Sequence, residues 1–267
     1  MLVNFPLASA PPPAFYLGFA PLLGMLAACV QLQIRLCQVR ANLERALDMA
    51  SSAIERGAEV VVFPELFLTG FCYERDVLDR PLYPTLDPFQ KFVQEHGCMI
   101  IGSLVDSRTN LGFCLDSEGI GFQPKIHPFG PEKEHFDGGG KIAPVDTSKG
   151  KVALEICYDL RFPEVARSLV LQGADFLVTI AQFPASRGEH WRNLCIARAI
   201  ENQIPHIACN GAGPELYGRS MIVDSWGKVL AEAEGEETLI LAEIEPDHRD
   251  TVRKEIPVLQ DRRPEVY

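Results

Sequence analysis

No CxxC pair occurs in this chain, no lysine or arginine precedes Arg35, and no broad cluster of basic residues is found. Each absence excludes a class. Without paired cysteines there is neither a zinc knuckle nor a compact disulfide scaffold. The eight cysteines (Cys29, Cys37, Cys72, Cys98, Cys114, Cys157, Cys195 and Cys209) lie singly, most of them inside apolar runs, where a free thiol behaves as a small hydrophobe. They read as reduced, which places the protein in the cytoplasm. With a net charge of −11 and no basic cluster, a broad nucleic-acid surface is excluded, because a polyanion demands grouped Lys and Arg. Clustered His, Asp or Cys ligands are also missing, so neither a metal nor another cofactor is called for.

The opening "MLVNFPLASAPPPAFYLGFAPLLG" has no charge and three consecutive prolines. It lacks the basic n-region of a secretory signal, and its apolar run is too short and too broken by proline to span a membrane. "LLGMLAAC", ending at Cys29, has the look of a lipoprotein cleavage box, but cleavage there would remove a strand-like run from the core. Residues 1–24 are therefore expected to be a disordered extension or a mispredicted start. Residues 25–267 are expected to form a single domain with an irregular tail from about Asp247.

What is present is an ordinary globular balance: 267 residues, 47% hydrophobic and 23% charged, enough to bury a substantial core. Apolar strand-like runs alternate with helical patterns. "LAACVQLQI" precedes a helix in which Leu43, Leu47, Ala50 and Ile54 recur at steps of three and four. "EVVVFPE" reads as a strand buried on both faces. A helix around 87–96 precedes "CMIIGSLV", "LGFCLDS" and "KVALEIC". Another helix, from Pro163 to near Gly173, precedes "ADFLVTIA", the helical "HWRNLCIARAIENQ", "PHIACNG" and a terminal pair of strands. Such alternation predicts stacked α/β layers.

Three reactive side chains follow buried strands. Glu65 closes "VVVFPE", where it reads either as a helix-start acid or as a base whose pKa burial raises. Lys125 stands between prolines and aromatics in "GFQPKIHPFG". Cys157 ends the run "ALEIC" at a helix start, where unpaired backbone N–H groups favour thiolate. Singly, each has an ordinary structural reading. Together they supply the nucleophile, base and oxyanion cation that cleavage of an amide requires.

The blocks "FPELFLTGF", "KIHPFG" and "EICYDLRFPEVARSL", in this order, resemble the three catalytic blocks of the nitrilase superfamily of carbon–nitrogen hydrolases. "FPASRGEHWRNLCIARAIENQ", "NGAG" and "GRSMIVDSWGKVL" extend the resemblance over roughly residues 25 to 245. It implies a four-layer αββα sandwich and a homodimer formed through the helices after Cys157 and near Trp191. It also implies that Cys157 forms a thioester, that Glu65 is the general base, and that Lys125 holds the oxyanion with the backbone N–H of Tyr158. A second glutamate after the lysine is expected from the family. The nine-residue spacing from Lys125 selects Glu134, with Glu132 as the alternative. Arg161 and Glu164 are expected to pair with other charges beneath the nucleophile, and His127 to be a packing residue.

"CYDLRFPE" is similar to the amidase and carbamoylase branches rather than to true nitrilases, and "FPASRGEHW" to the omega-amidase group, which deamidates monoamides of small dicarboxylates. A small-molecule amide is therefore the expected substrate, with a carbamoyl amine or amino acid as the alternative. Phe183 and Arg187 lie where such a substrate could be read, and a guanidinium fork suits a distal carboxylate.

Overall fold

The computed structural model describes residues 24–79 and 81–266. Residues 1–23 of the expected extension lie outside them. The chain runs β1 (Met25–Gln31), α1 (Val39–Glu55), β2 (Val60–Val62), α2 (Arg75–Leu78), α3 (Leu82–His96), β3 (Met99–Asp106), β4 (Thr109–Asp116), β5 (Gly119–Pro124) and α4 (Glu132–His135). It continues through β6 (Val145–Thr147), β7 (Gly150–Ile156), α5 (Pro163–Leu171), β8 (Phe176–Ala181), α6 (Gly188–Asn202), β9 (His206–Asn210), β10 (Met221–Val223), β11 (Val229–Glu232), β12 (Thr238–Ile244) and α7 (His248–Glu255).

Two six-stranded sheets result, in the orders β12-β1-β2-β3-β4-β5 and β11-β10-β9-β8-β7-β6. Each has a parallel centre, β1-β2-β3 in one and β7-β8-β9 in the other, and antiparallel flanks. The "VVV" run shows why both faces had to be apolar. Val60 and Val62 join Cys29, Ile101, Leu154, Ile156, Val178 and Cys209 in the layer between the sheets. Val61, with the opposite side-chain direction, packs beneath α1 and α3 with Ala50, Phe89 and Val93. On the far side of the second sheet α5 covers Ala153 and Leu177, while α6 buries Trp191, Cys195 and Ala199. Helix, sheet, sheet and helix thus form the expected αββα sandwich.

The buried face of α1 is rotated slightly from the leucine stripe. Ala46, Met49, Ala50 and Ala53 are fully covered, while Leu43, Leu47 and Ile54 flank them. The expected irregular tail contains α7, anchored where Arg249 pairs with Asp175 at 2.6 Å. The expectation that all cysteines are reduced is corrected. Cys37 and Cys72 form a disulfide between the turn after β1 and the loop after Glu65, with their Cα atoms 5.3 Å apart. They are 35 positions apart in sequence, so only the folded path of the chain brings them together. The bond removes both from the reduced set on which the cytoplasmic expectation rested. Among the described residues, no helix is long and apolar enough to cross a membrane.

Candidate active site

The site lies where corresponding ends of the two sheets meet. Glu65 follows β2 and the Phe63–Pro64 pair, and is fully buried. The next residue, Leu66, has a left-handed backbone with φ 46° and donates its N–H to Ser103 Oγ at 2.9 Å, so the chain turns sharply just past the carboxylate. Lys125 follows β5 and is tied on both sides. Its N–H donates to the carbonyl of Asn110 at 2.9 Å, and its carbonyl accepts from Gly139 N–H at 2.8 Å.

Cys157 directly follows β7 and starts a short 3-10 segment, Cys157–Arg161, with φ 50° at the cysteine itself. A non-glycine residue there costs on the order of 1–3 kcal/mol, and the surrounding structure must hold it. Asp159 does much of this. Its carboxylate accepts from the N–H groups of Ile126, His127 and Ile156 and meets His127 Nδ1 at 2.8 Å, tying the lysine loop to the nucleophile turn. His127 also stacks on Phe162 at 3.7 Å.

Lys125 Nζ lies 2.7 Å from Glu65 Oε1 and 2.6 Å from Glu132 Oε2. The lysine therefore bridges two carboxylates, and all three side chains are buried. Burial alone would lower its pKa, but Glu65, Cys157 and Glu132 together hold it above the ordinary lysine value, so it stays charged. Burial pushes the Cys157 thiol well up, and Glu65 adds to this through charge and a hydrogen bond, outweighing Lys125. The pull toward thiolate expected from the helix start is therefore outweighed, and a base is needed to take the thiol proton. The segment after Cys157 is a single tight turn, and α5 begins only at Pro163, so no long helix faces the sulfur.

The glutamate that reaches Lys125 is Glu132, not the expected Glu134. α4 is one turn long, and two positions along a helix rotate a side chain by roughly 200°. Glu132 consequently points inward, buried, and also accepts from Phe129 N–H at 2.8 Å, whereas Glu134 is exposed. Burial, then the charge of Glu65, raises the Glu132 pKa against the pull of Lys125.

Cys157 and Glu132 line a cavity of about 340 Å³. Its walls are largely aromatic: Phe71, Tyr73, Phe129, Tyr158 and Phe183. Burial, then the charge of Glu132, raises the Tyr73 phenol to about 12, leaving it a hydrogen-bond donor. Arg187 lines the cavity as well, with its guanidinium over the Phe129 ring at 5.2 Å. Arg161, expected to pair with charges below the nucleophile, instead faces the same cavity, 5.0 Å over Phe183 and 3.2 Å from His190 Nδ1. Among the described residues, neither guanidinium pairs with a carboxylate. Glu164 stands exposed at the start of α5.

Sequence reasoning missed Asn110, Gln182 and the role of Asp159. Gln182 donates its backbone N–H to Glu65 Oε2 at 3.3 Å and its side chain to the Glu65 carbonyl at 2.9 Å. Only Asp159 carried a signal, its place in "CYDLR". The one place among the described residues where three metal-ligand atoms gather is Cys37, Cys72 and Glu74, and there the two sulfurs are taken up in the disulfide.

A carbon-nitrogen hydrolase family model matches residues 26–254. The 2-oxoglutaramate amidase of Bacillus subtilis (strain 168) is 34% identical over 255 residues, covering 90% of this chain and 98% of that protein. The omega-amidase NIT2-A of Xenopus laevis is 30% identical over 250 residues, covering 85% and 91%. Among solved structures, a mutant of the amidase from Nesterenkonia sp. AN1 superposes with a TM-score of 0.80 at 25% identity, covering 91% and 95%. It shows covalent addition of the acetamide moiety of fluoroacetamide at its active-site cysteine. With a family model spanning most of the chain and relatives similar over nearly their whole length, this protein belongs to the carbon–nitrogen hydrolase family.

Proposed function

We propose that the protein is an omega-amidase-like hydrolase that cleaves the amide of a small carboxylated monoamide through a Cys157 thioester and releases ammonia. One observation carries the reading: Cys157, backed by the buried Lys125 and Glu65, lines a cavity whose wall presents two guanidinium groups with no carboxylate partner among the described residues. An amide at the cysteine and a distal carboxylate toward Arg161 and Arg187 would use both features. The 2-oxoglutaramate amidase among the relatives supports the same class of substrate.

Because the thiol is held above its ordinary pKa, Sγ attacks as its proton passes to Glu65. The S–C bond forms, the carbonyl π electrons move to oxygen, and the oxyanion is met by Lys125 Nζ and the Tyr158 N–H. Collapse breaks the C–N bond. The proton on Glu65 goes to the departing nitrogen, and ammonia leaves. Glu65 then takes a proton from water, hydroxide attacks the thioester carbon, the C–S bond breaks to release the carboxylic acid, and Glu65 returns its proton to the sulfur to restore the thiol. Glu132 holds Lys125 in place throughout. The same reading includes a homodimer through the α5–α6 side, where Leu171, Ile200 and Trp226 are exposed apolar side chains.

The experiment is ammonia and carbon dioxide release from succinamate, 2-oxoglutaramate, neutral aliphatic amides, N-carbamoyl amines and a nitrile, with Cys157→Ala as the blank. Ammonia alone from the carboxylated amides, lost in the variant, is expected. Carbon dioxide alongside ammonia would move the protein to the carbamoylase branch. Light scattering tests the dimer.

A further inference from the structure

Asn110 is buried on β4, and it touches each of Glu65, Lys125 and Glu132. Its Nδ2 lies 2.8 Å from Glu65 Oε1 and 3.5 Å from Glu132 Oε1, and its backbone carbonyl receives the Lys125 N–H. Its own Oδ1 is buried with no hydrogen-bond partner among the described residues. The amide is therefore held through its donor side alone, aimed at two carboxylates.

The charges explain why that matters. Two carboxylates and one ammonium share a buried site, so one proton more than the lysine carries is needed for neutrality. Which carboxylate takes it decides whether the site has a base. A hydrogen-bond donor favours the ionised form of the group it touches, and the contact to Glu65 is much the shorter of the two. We propose that Asn110 is a positioning residue that keeps Glu65 ionised as the base and leaves Glu132 as the carboxyl group that takes up the extra proton. This inference rests on the reading of Cys157 as nucleophile and Glu65 as its base. The titratable groups facing Glu65 are Lys125 after β5, Cys157 after β7, Glu132 of α4 and Tyr73 of its own loop. Asn110 is the neutral side chain that biases the balance among them.

The test needs no substrate. Alkylation of the intact protein by iodoacetamide is followed from pH 5 to 10, with the rate at Cys157 read by mass spectrometry, for wild type, Asn110→Leu and Asn110→Asp. In the wild type the rate is expected to rise with pH along an acid limb as the extra proton leaves the carboxylate pair and a base becomes free. Asn110→Leu, similar in shape but without donors, is expected to move that acid limb up by about one to two pH units, slowing alkylation about ten- to a hundredfold below it. Asn110→Asp replaces the donor with a third carboxylate and is expected to move the limb upward as well. Thermal melts and circular dichroism show that each variant is folded, and if Asn110→Leu is not, Asn110→Asp carries the test. A merely structural asparagine would lower the melting temperature and leave the limb in place. A wild-type limb that neither variant moves overturns the role of Asn110 alone. A wild-type rate at Cys157 with no acid limb overturns the Glu65 reading, and this inference with it.

Discussion

At the scale of single residues, Lys125 and the two cavity arginines carry opposite kinds of prediction. In the proposed mechanism Lys125 serves the reacting oxygen, so its loss is expected to act on the chemical step. A preorganised oxyanion donor is worth about 3–4 kcal/mol, and Lys125→Met is expected to lower kcat about 100- to 1000-fold. It also leaves Glu65 and Glu132 facing each other without a cation, so its melting temperature is expected to fall as well. On the proposed reading Arg161 and Arg187 serve the far end of the substrate. Arg187→Ala is expected to raise KM for succinamate about tenfold while leaving a neutral amide of equal length unchanged, which steady-state kinetics on the two amides would show. Equal losses on both amides would sink the carboxylate reading.

Elements show what the sequence could and could not disclose. Strands and helices with a strong period were legible, because burial on one or both faces writes itself into the spacing of apolar residues. β5 and β6 were not, since "GIGFQP" and "VDT" have no clear alternation and are held by pairing with neighbours. α7 was missed because its residues are nearly all polar and only Val252 is buried. Within the site, the block residues Glu65, Lys125 and Cys157 could be named from sequence and are found together. The choice between Glu132 and Glu134 depended on the direction of one helical turn, which spacing from Lys125 does not report.

The disulfide is likewise an event between elements, joining the turn before α1 to the loop that carries Phe71 and Tyr73 into the cavity. Closing a loop of this length is worth about 3–4 kcal/mol in the chain-entropy picture. Cys37→Ser, or reduction by a dithiol, is expected to lower the melting temperature by several degrees, and a melt unchanged by reductant would show that the bond contributes nothing.

A buried polar cluster spans β7, β8, β9 and α6. Glu155 Oε2 and Thr179 Oγ1 lie 3.0 Å apart, Thr179 Oγ1 and His206 Nε2 2.8 Å apart, and His206 Nδ1 lies 2.9 Å from the Cys195 carbonyl. Burial raises Glu155 from 4.5 to about 8 and lowers His206 from 6.5 to about 4. Between pH 4.5 and 8 the unfolded chain ionises Glu155 while the native state keeps the proton, so this group makes stability fall as pH rises. Between pH 4 and 6.5 the unfolded chain protonates His206 and the native state does not, so this one makes stability rise with pH. The two oppose each other up to about pH 6.5, and above it only the fall remains. Glu155→Gln is expected to remove that fall, so its melting temperature should gain on the wild type between pH 6.5 and 8. A constant difference across that range would contradict the assignment.

At the scale of the whole molecule, the site is a joint between two sheets. Glu65 and Lys125 hang from the first, Cys157 from the second, and their geometry depends on how closely the sheets approach. Gly112 on β4 sets that approach beside the nucleophile strand. A Cβ there would lie 2.7 Å from Leu154 Cδ2 and 3.0 Å from Ile156 Cδ1, both on β7, and 2.8 Å from the Gln123 carbonyl of the paired strand. The leucine tip can rotate away, but the carbonyl belongs to a hydrogen-bonded ladder and cannot, so a methyl group must push strands apart. Ile156 immediately precedes Cys157, so this push is delivered to the sulfur. A misplacement of reacting groups by about 1 Å can cost on the order of 100-fold in rate. Gly112→Ala is therefore expected to reduce kcat by more than tenfold while the protein stays folded at assay temperature, with Cys157 alkylation slowed in parallel. Gly140, which has open space around its Cα, is the control position: Gly140→Ala is expected to leave both rates unchanged. If Gly112→Ala lost stability but kept its rates, the sheet spacing would matter for folding and not for the geometry of the joint.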